Sequence, residues 1–185
     1  MPEISFDPSC EVAAEQLVPF AETHRLTVVC GLLAPATGEI ALVRSVKAIG
    51  QESEDQMLKP AQGGIDPGET AADAFLREVQ EEYLGFDMDS IRTVVGLPMS
   101  EVMTGGRPGR GRGRSVKAFA VFCGIVAGRP ELVPNPEELA SAGWFSQEYA
   151  ERAFLIQAGH AELAERGYRN LRVLDAIRGI DLTQF

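Results

Sequence analysis

One stretch of the sequence, residues 63–86, constrains the fold more than any other. It starts with residues that are typical of turns, namely Gly63, Gly64, Pro67 and Gly68. Thr70, with Asp73 three positions later, matches the residue types that cap the start of a helix. Apolar residues then recur at helical spacing: Ala72, Phe75, Leu76, Val79 and Tyr83. The stretch therefore predicts a glycine-rich loop, a capped amphipathic helix and a stop at Gly85.

Three glutamates share one side of this predicted helix. Glu78, Glu81 and Glu82 are spaced i, i+3 and i+4, so they repel one another by roughly 0.2–0.5 kcal/mol per pair when solvated. Mg²⁺ takes oxygen ligands, commonly one or two carboxylates together with waters and a substrate phosphate. The stripe is therefore either a metal site or a solvated acidic face. The glycine loop, with Glu69 at the helix start and Arg77 beside Glu78, favours the metal site.

The same stretch resembles the Nudix box, G-x5-E-x7-R-E-U-x-E-E-x-G-U, in which U is apolar. Gly63 is followed after five residues by Glu69 and after seven more by the run 77–82, so every charged position is in register. The end departs from the pattern, because residues 83–84 stand before Gly85 where the family has one residue. We interpret the extra residue as a slightly longer last helical turn.

The resemblance implies an α/β (α+β) fold in which a mixed β-sheet is sandwiched between α-helices. Runs of β-branched and aliphatic residues predict compatible strands at 27–33, 40–46, 57–59, 91–99, 116–126 and within 134–145. Helical spacing predicts an N-terminal helix at 10–23 and one or two closing helices within 146–178. Since 185 residues leave little room for a second core, we expect a single Nudix hydrolase domain over 1–185, with these helices as extensions.

Nudix enzymes cleave nucleoside diphosphates linked to a further group and use divalent ions, so the resemblance implies Mg²⁺ or Mn²⁺ as cofactor. It implies metal ligands at Gly63, through its carbonyl, and at Glu78, Glu81 and Glu82. We expect Arg77 to orient Glu69 and Glu78 by ion pairing.

Glu78 is our first choice for the general base, although Glu138 or another box glutamate could serve. Glu138 lies in a polar loop a few residues before Trp144, where family members often carry a metal-binding or catalytic glutamate. The alternative is that Glu137 and Glu138 are merely solvated or cap a short helix.

A glycine-arginine tract at 104–114 stands out in this acidic sequence. Guanidinium groups bind phosphate oxygens through paired hydrogen bonds, and glycines let backbone amides approach closely. The tract is therefore a clamp for a polyphosphate or a mobile solvated loop, and an RNA-binding tail is a third option. We predict substrate-phosphate contacts at Arg44, Arg112, Arg114 and Lys117.

The residues around the two glycines suggest a substrate class. The run Gln62-Gly63-Gly64-Ile65-Asp66 is similar to the loop of diadenosine polyphosphate hydrolases and bacterial RNA 5′-pyrophosphohydrolases. That subgroup has a tryptophan shortly before the loop and a proline directly before the glutamine, whereas here the tryptophan is missing and Pro60 is shifted by one position. The resemblance implies a dinucleoside polyphosphate or a 5′-triphosphorylated RNA end as substrate.

Two other functions stay open. A pyrophosphatase for ADP-ribose, another nucleotide sugar or an oxidised nucleotide would keep the same metal residues. A non-catalytic nucleotide-sensing module usually loses box glutamates, and this chain keeps them. A homodimer would be in keeping with the family.

Composition restricts the partners and the compartment. The formal net charge of −10 argues against general adhesion to nucleic acid or membranes, because phosphate-rich surfaces attract basic proteins. Cys10, Cys30 and Cys123 have no paired spacing, so we expect buried free thiols rather than a disulfide framework or a zinc site. The N-terminus lacks a basic, apolar leader, and we expect a cytoplasmic protein with no membrane association.

Overall fold

The structure is a computed structural model that describes residues 4–45, 58–105, 116–161 and 163–184. Among these residues, nine strands form one sheet. The strands are β1 (Ser5–Phe6), β2 (Arg25–Ala34), β3 (Glu39–Ser45), β4 (Leu58–Lys59), β5 (Ala61–Gly64), β6 (Ile91–Gly96), β7 (Met103–Gly105), β8 (Lys117–Val126) and β9 (Leu139–Phe145). The helices are α1 (Ser9–Glu15), α2 (Ala71–Glu82), α3 (Gln147–Ala158) and α4 (Ala164–Arg178), with short 3-10 helices at Val18–Phe20, Met88–Ser90 and Leu182–Gln184.

The sheet is mixed, with β2 and β8 at its centre. These two long strands run parallel, with Val28 opposite Ala120. β2 also pairs antiparallel with β3 and β5, and β8 pairs antiparallel with β6 and β7. β1 adds a parallel edge to β6, while β4 and β9 pair antiparallel with β3. The predicted α/β fold class is therefore confirmed.

Helices cover both faces of the sheet. Consecutive side chains of β2 point to opposite faces and therefore lie in two different cores. Val28 and Cys30 pack in a core that includes residues of α1 and α2. Val29 and Leu33 pack in a second core with residues of α3 and α4. We call these two sides the α2 face and the α4 face. Residues of one strand therefore reach two separate hydrophobic cores.

Three local predictions are corrected. The N-terminal helix predicted at 10–23 ends at Glu15, because Pro19 has no N–H to donate and its ring would clash with the preceding turn. Gly63 and Gly64 are not turn residues but belong to β5, where they pair with Val28 and Thr27 of β2. The connection between the strands predicted at 91–99 and 116–126 contains a further strand, β7. In β5 and β7, strand pairing has overridden turn propensity.

The other predicted elements are present within one to three residues of their expected ends, and two closing helices follow β9. All three cysteines are free and buried, as predicted. No helix within the described ranges has both the length and the apolar character needed to cross a bilayer. The domain boundaries at 1 and 185 stay a prediction.

Candidate active site

α2 starts with the predicted cap and places two of its glutamates against the sheet. The Thr70 hydroxyl accepts a hydrogen bond from the Asp73 backbone N–H at 3.1 Å, and the Asp73 carboxylate accepts one from the Thr70 N–H at 3.4 Å. The buried residues of the helix are Ala71, Ala74, Phe75, Glu78, Val79 and Glu82. Ala72 and Leu76, predicted on the apolar face, are only partly buried. The helix is thus rotated about its axis so that the side chains of Glu78 and Glu82 lie against the sheet on the α2 face.

Gly63 makes room for the first of these carboxylates. A methyl group built on Gly63 would overlap the carboxylate of Glu78. Glu78 therefore lies flat against the β5 backbone and is only 8% exposed. Burial raises the pKa of Glu78, because water no longer solvates the charged form, and the Arg77 guanidinium opposes this effect.

Arg77 connects the residues around this strand. Its Nε and Nη2 donate to the two oxygens of Glu69, each at 2.9 Å. Its Nη1 donates to Glu78 Oε1 at 2.6 Å and to Glu81 Oε2 at 3.1 Å, and Nη2 also donates to the Gly64 carbonyl at 2.7 Å. Its hydrogen bonds to Glu69 lower the pKa of that carboxyl. The ion pairs predicted for Arg77 are present, and the catalytic importance of these residues stays a prediction.

Glu82 is the most deeply buried of the box carboxylates, at 4% exposed. Lys59 Nζ lies 3.6 Å from its Oε1, and the Gln62 backbone N–H points at the same oxygen from 3.5 Å. Its other oxygen, Oε2, has no hydrogen-bond partner in the part of the chain that the structure describes. Burial raises the pKa of Glu82 and Lys59 opposes that shift. A buried carboxylate with an unused oxygen is a ready ligand for a cation.

Lys59 was missed by the sequence reasoning. The only sequence signal was its position, as a charged residue in the short apolar run just before the glycines.

The end of α2 differs from the prediction. The helix ends at Glu82 rather than in a longer last turn, because Tyr83 has an extended backbone and forms an isolated bridge with Pro134. Leu84 donates its N–H to the Val133 carbonyl at 2.8 Å. The extra residue of the box therefore leads the chain into a pairing with residues 133–135. Glu81 stays in solvent, with its side chain 57% exposed.

Glu138 is exposed in the turn before β9, yet it is close enough to act on the buried carboxylates. Its charge adds to the upward pKa shift of both Glu78 and Glu82. Its neighbour Glu137, also exposed, is not among the causes of either shift. Of these two glutamates, Glu138 is thus the one whose charge acts on the buried carboxylates, and its role in metal binding or catalysis stays a prediction.

These groups fit a hard divalent cation. The donors are carboxylate and carbonyl oxygens, which Mg²⁺ and Mn²⁺ prefer, and Glu82 Oε2 is a buried oxygen with no partner among the described residues. Within those residues, no three His, Cys, Asp or Glu side chains form a ready-made cation cluster. Instead, Arg77 Nη1 contacts both Glu78 and Glu81. Among the described residues, the cations in contact with these carboxylates are Arg77 and Lys59.

The α4 face carries basic groups at the same end of the sheet. Arg25 begins β2 directly opposite Lys117 of β8, and a methyl group on Gly64 would come within 2.5 Å of Arg25 Nη2. Arg169 of α4 lies over the Phe119 ring, 4.4 Å from its centroid. Burial, followed by the charges of Arg25, Arg169 and Lys59, lowers the pKa of Lys117.

Arg44, another predicted phosphate contact, packs against β9. Arg44 Nη1 donates to Ser141 Oγ at 3.1 Å, and its guanidinium lies over the Phe145 ring at 5.4 Å. Arg112 and Arg114 lie outside the described residues. Sequence reasoning missed Arg25 and Arg169, which no motif marks and which only the strand pairing and the packing of α4 bring together.

Fold and site together define a mixed α/β sandwich in which a carboxylate-bearing helix lies against a glycine-containing strand. The sequence profile of the NUDIX domain matches residues 23–166. The chain therefore belongs to the Nudix family, and it is an enzyme of the Nudix hydrolase type.

Solved structures show the same fold. The E. coli dihydroneopterin triphosphate pyrophosphohydrolase is 14% identical, with a TM-score of 0.58 over 83% of this chain and 95% of that one. A Nudix hydrolase from M. smegmatis, RenU, is 18% identical, with a TM-score of 0.50 over 86% and 89%. A C. elegans Ap4A hydrolase is 16% identical, with a TM-score of 0.48 over 80% and 96%. At these identities the first two similarities show the fold alone, and the third, with a TM-score below 0.5, adds nothing to them. No curated protein matches the chain in sequence.

Proposed function

We propose that this protein is a divalent-metal-dependent pyrophosphohydrolase that cleaves a nucleoside diphosphate linked to another group. The observation that carries the proposal is the burial of Glu78 and Glu82 against β5, with one oxygen of Glu82 lacking a partner among the described residues. A buried carboxylate is costly unless a cation neutralises it. Mg²⁺ or Mn²⁺, held by Glu78, Glu81, Glu82 and the Gly63 carbonyl, would neutralise them more completely than Arg77 and Lys59 do.

The residues of the chain have distinct tasks in this proposal. A bound divalent ion supplies positive charge against the phosphate oxygens, which lowers the barrier to attack by water. Arg77 holds Glu78 in one orientation through the 2.6 Å hydrogen bond to its Oε1, while it also anchors Glu69. Glu78 is our choice for the group that takes a proton from the attacking water, and Glu138 is the second candidate. Burial on the α2 face keeps bulk water from competing with these contacts.

Phosphate-rich substrates fit the charge distribution best. Arg25 and Lys117 begin neighbouring strands beside Gly64, at the same sheet end as the carboxylates. Positively charged groups that lie close together repel one another. A bound anion such as a phosphate chain relieves that repulsion. This arrangement supports the dinucleoside polyphosphate or 5′-triphosphorylated RNA that the loop resemblance implies. ADP-ribose, nucleotide sugars and oxidised nucleotides are the alternative substrates.

The experiment that tests the proposal measures release of nucleotide or phosphate with Mg²⁺ and then Mn²⁺. The panel contains diadenosine polyphosphates, triphosphorylated RNA, ADP-ribose and nucleoside triphosphates. We expect turnover of the long phosphate chains, and we expect Glu81→Gln and Glu82→Gln to abolish it while the fold is kept. Glu137→Gln is the matched control and keeps full activity. Full activity of both box variants would refute the metal assignment, and no turnover of any substrate would favour a nucleotide-sensing module.

Arg112 and Arg114 are tested in the same assay by changing both to Ala. Loss of preference for long phosphate chains would support a clamp, whereas unchanged preference would remove the tract from the substrate site. Preference for ADP-ribose or a nucleotide sugar would support metal-dependent hydrolysis but refute the proposed substrate class. A cytoplasmic location and a homodimer also belong to this proposal, and light scattering tests the dimer.

A further inference from the structure

One residue, Asn135, joins the end of α2 to the turn that carries Glu138. Its side-chain Nδ2 donates to the Glu81 carbonyl at 3.1 Å, and its backbone N–H donates to the Glu82 carbonyl at 3.0 Å. These are two of the last helix carbonyls, which have no partner within the helix itself. The helix end that bears two candidate metal ligands is therefore fixed from outside by Asn135.

The remaining polar groups of Asn135 shape the turn. Its Oδ1 accepts the Glu137 N–H at 3.1 Å, which is the hydrogen bond of an Asx-turn. Its carbonyl accepts the N–H groups of Glu138 at 3.1 Å and Leu139 at 2.8 Å. Both ends of the side-chain amide are thus used, one on the helix and the other on the turn.

The pairing is continued by the two residues after the helix. Tyr83 bridges Pro134, and the Leu84 N–H donates to the Val133 carbonyl. These residues include the one that is additional to the Nudix box pattern. The extension therefore provides a short ladder that keeps residues 133–135 alongside the helix end.

Electrostatics explains why such a link is needed. Glu138 carries the same negative charge as the buried Glu78 and Glu82. Like charges move apart unless the backbone holds them, and Glu138 lies in an exposed turn. A tether between turn and helix keeps the three carboxylates within reach of a shared ligand.

We propose that Asn135 is a positioning residue, which sets Glu138 relative to Glu81 and Glu82 by hydrogen-bonding both elements through one side chain. The inference rests on the proposed function, because the carboxylates that it positions are those assigned there. Both ends of the Asn135 side-chain amide bond to protein groups, so we expect it to act through kcat more than through substrate binding.

The test compares Asn135→Ala with Asn135→Ser. Ser can still accept the Glu137 N–H, but it is too short to donate to the Glu81 carbonyl. If the link matters, both variants lose kcat by about tenfold or more, as residues that orient metal ligands do, with KM changed less than about twofold. Restoration of full kcat by Ser would show that the turn alone suffices, and it would overturn the proposal.

A double-mutant cycle with Glu138→Gln separates positioning from general stability. If Asn135 acts through Glu138, the double variant Asn135→Ala/Glu138→Gln is no slower than the worse single variant. Multiplying losses would contradict the proposal. Melting temperatures of all variants confirm folding, and the cycle uses Asn135→Ser if the Ala variant does not fold. Glu137→Gln is the control and keeps wild-type kcat.

The same variants distinguish a failure of the positioning proposal from a failure of the proposed function. Inactive Glu82→Gln beside fully active Glu138→Gln would leave the proposed function intact and overturn the positioning proposal. Fully active Glu82→Gln would refute both.

Discussion

Gly63 and Gly64 are neighbours in β5, yet the side chains that lie next to them carry opposite charges. Gly63 faces the α2 face, where a methyl group would overlap the buried Glu78 carboxylate. Gly64 faces the α4 face, where a methyl group would come within 2.5 Å of the exposed Arg25 guanidinium. Strand alternation thus separates an anionic side from a cationic side by a single residue.

The difference shows how carboxylates and cations can share one sheet end without neutralising each other completely. The backbone of β5 lies between Glu78 and Arg25, so each group stays available to a ligand. The two sides also differ in rigidity, because Glu78 is buried and fixed by Arg77, whereas Arg25 is an exposed, long side chain. We infer that the α2 face sets the chemistry and the α4 face sets how well a phosphate chain binds.

The largest effect is expected from Gly63→Ala. The methyl group would displace the Glu78 carboxylate, and kcat should fall about 100-fold or more, with a loss of about 1–3 kcal/mol in the free energy of unfolding from overpacking. Gly64→Ala is the matched control, because the flexible Arg25 can move aside, and its kcat should change less than about fivefold. Steady-state kinetics and urea unfolding measure both. Equal losses in the two variants would contradict the asymmetry between the faces.

Lys59→Met should destabilise the metal-free protein. It removes the cation beside the buried Glu82, and we expect a loss of about 1–3 kcal/mol in the free energy of unfolding in EDTA. Added Mn²⁺ should restore part of the loss, because a ligand that binds the folded state stabilises it. The control is Arg129→Met. Arg129 is half-exposed and forms an ion pair with Glu39, so its loss should lower the free energy of unfolding by under about 1 kcal/mol. A Lys59 effect no larger than the control would show that Glu82 needs no cation.

Arg25→Gln and Lys117→Gln should each raise KM for long phosphate chains by about 3–10-fold, while kcat changes little. The reason is that these residues contribute charge to binding on the α4 face and do not touch the α2 face chemistry. Arg92→Gln, an exposed change on β6, is the control and should leave KM unchanged. A fall in kcat at constant KM would place these cations in the chemical step instead.

The smallest effect concerns the thiols, which should not react in the native protein at pH 8. Burial raises the pKa of Cys10 to about 11 and that of Cys123 to about 12, so both stay as neutral thiols. On the α2 face, burial together with the charges of Glu82 and Glu78 raises the pKa of Cys30. A colorimetric thiol reagent should therefore count all three only after denaturation. A thiol that reacts in the folded protein would show that its core is open.

Local patterns in the sequence were enough to predict much of α2. The cap at Thr70 and Asp73 depends on neighbours within one turn, and the register of Glu69, Arg77 and Glu78 is fixed by spacing along the chain. Those features therefore follow directly from the residue order.

Features that depend on partners distant in sequence were missed. The rotation of α2 toward Glu78 and Glu82 follows from packing on β5, whose glycines were interpreted as a turn. Asn135 was not singled out because its partners, Glu81 and Glu82, lie more than fifty residues before it. The cationic α4 face likewise requires knowing that β2 and β8 are parallel neighbours.

Binding of Mn²⁺ tests the central claim most directly, and it needs no knowledge of the substrate. Free Mn²⁺ is followed by electron paramagnetic resonance while it is titrated into the wild type, Glu78→Gln, Glu82→Gln and the control Glu137→Gln. We predict that the wild type and the control bind alike and that each box variant loses at least about tenfold in affinity. Unchanged binding by folded Glu78→Gln and Glu82→Gln would contradict the account, because the buried carboxylates of the α2 face would then not be the metal ligands.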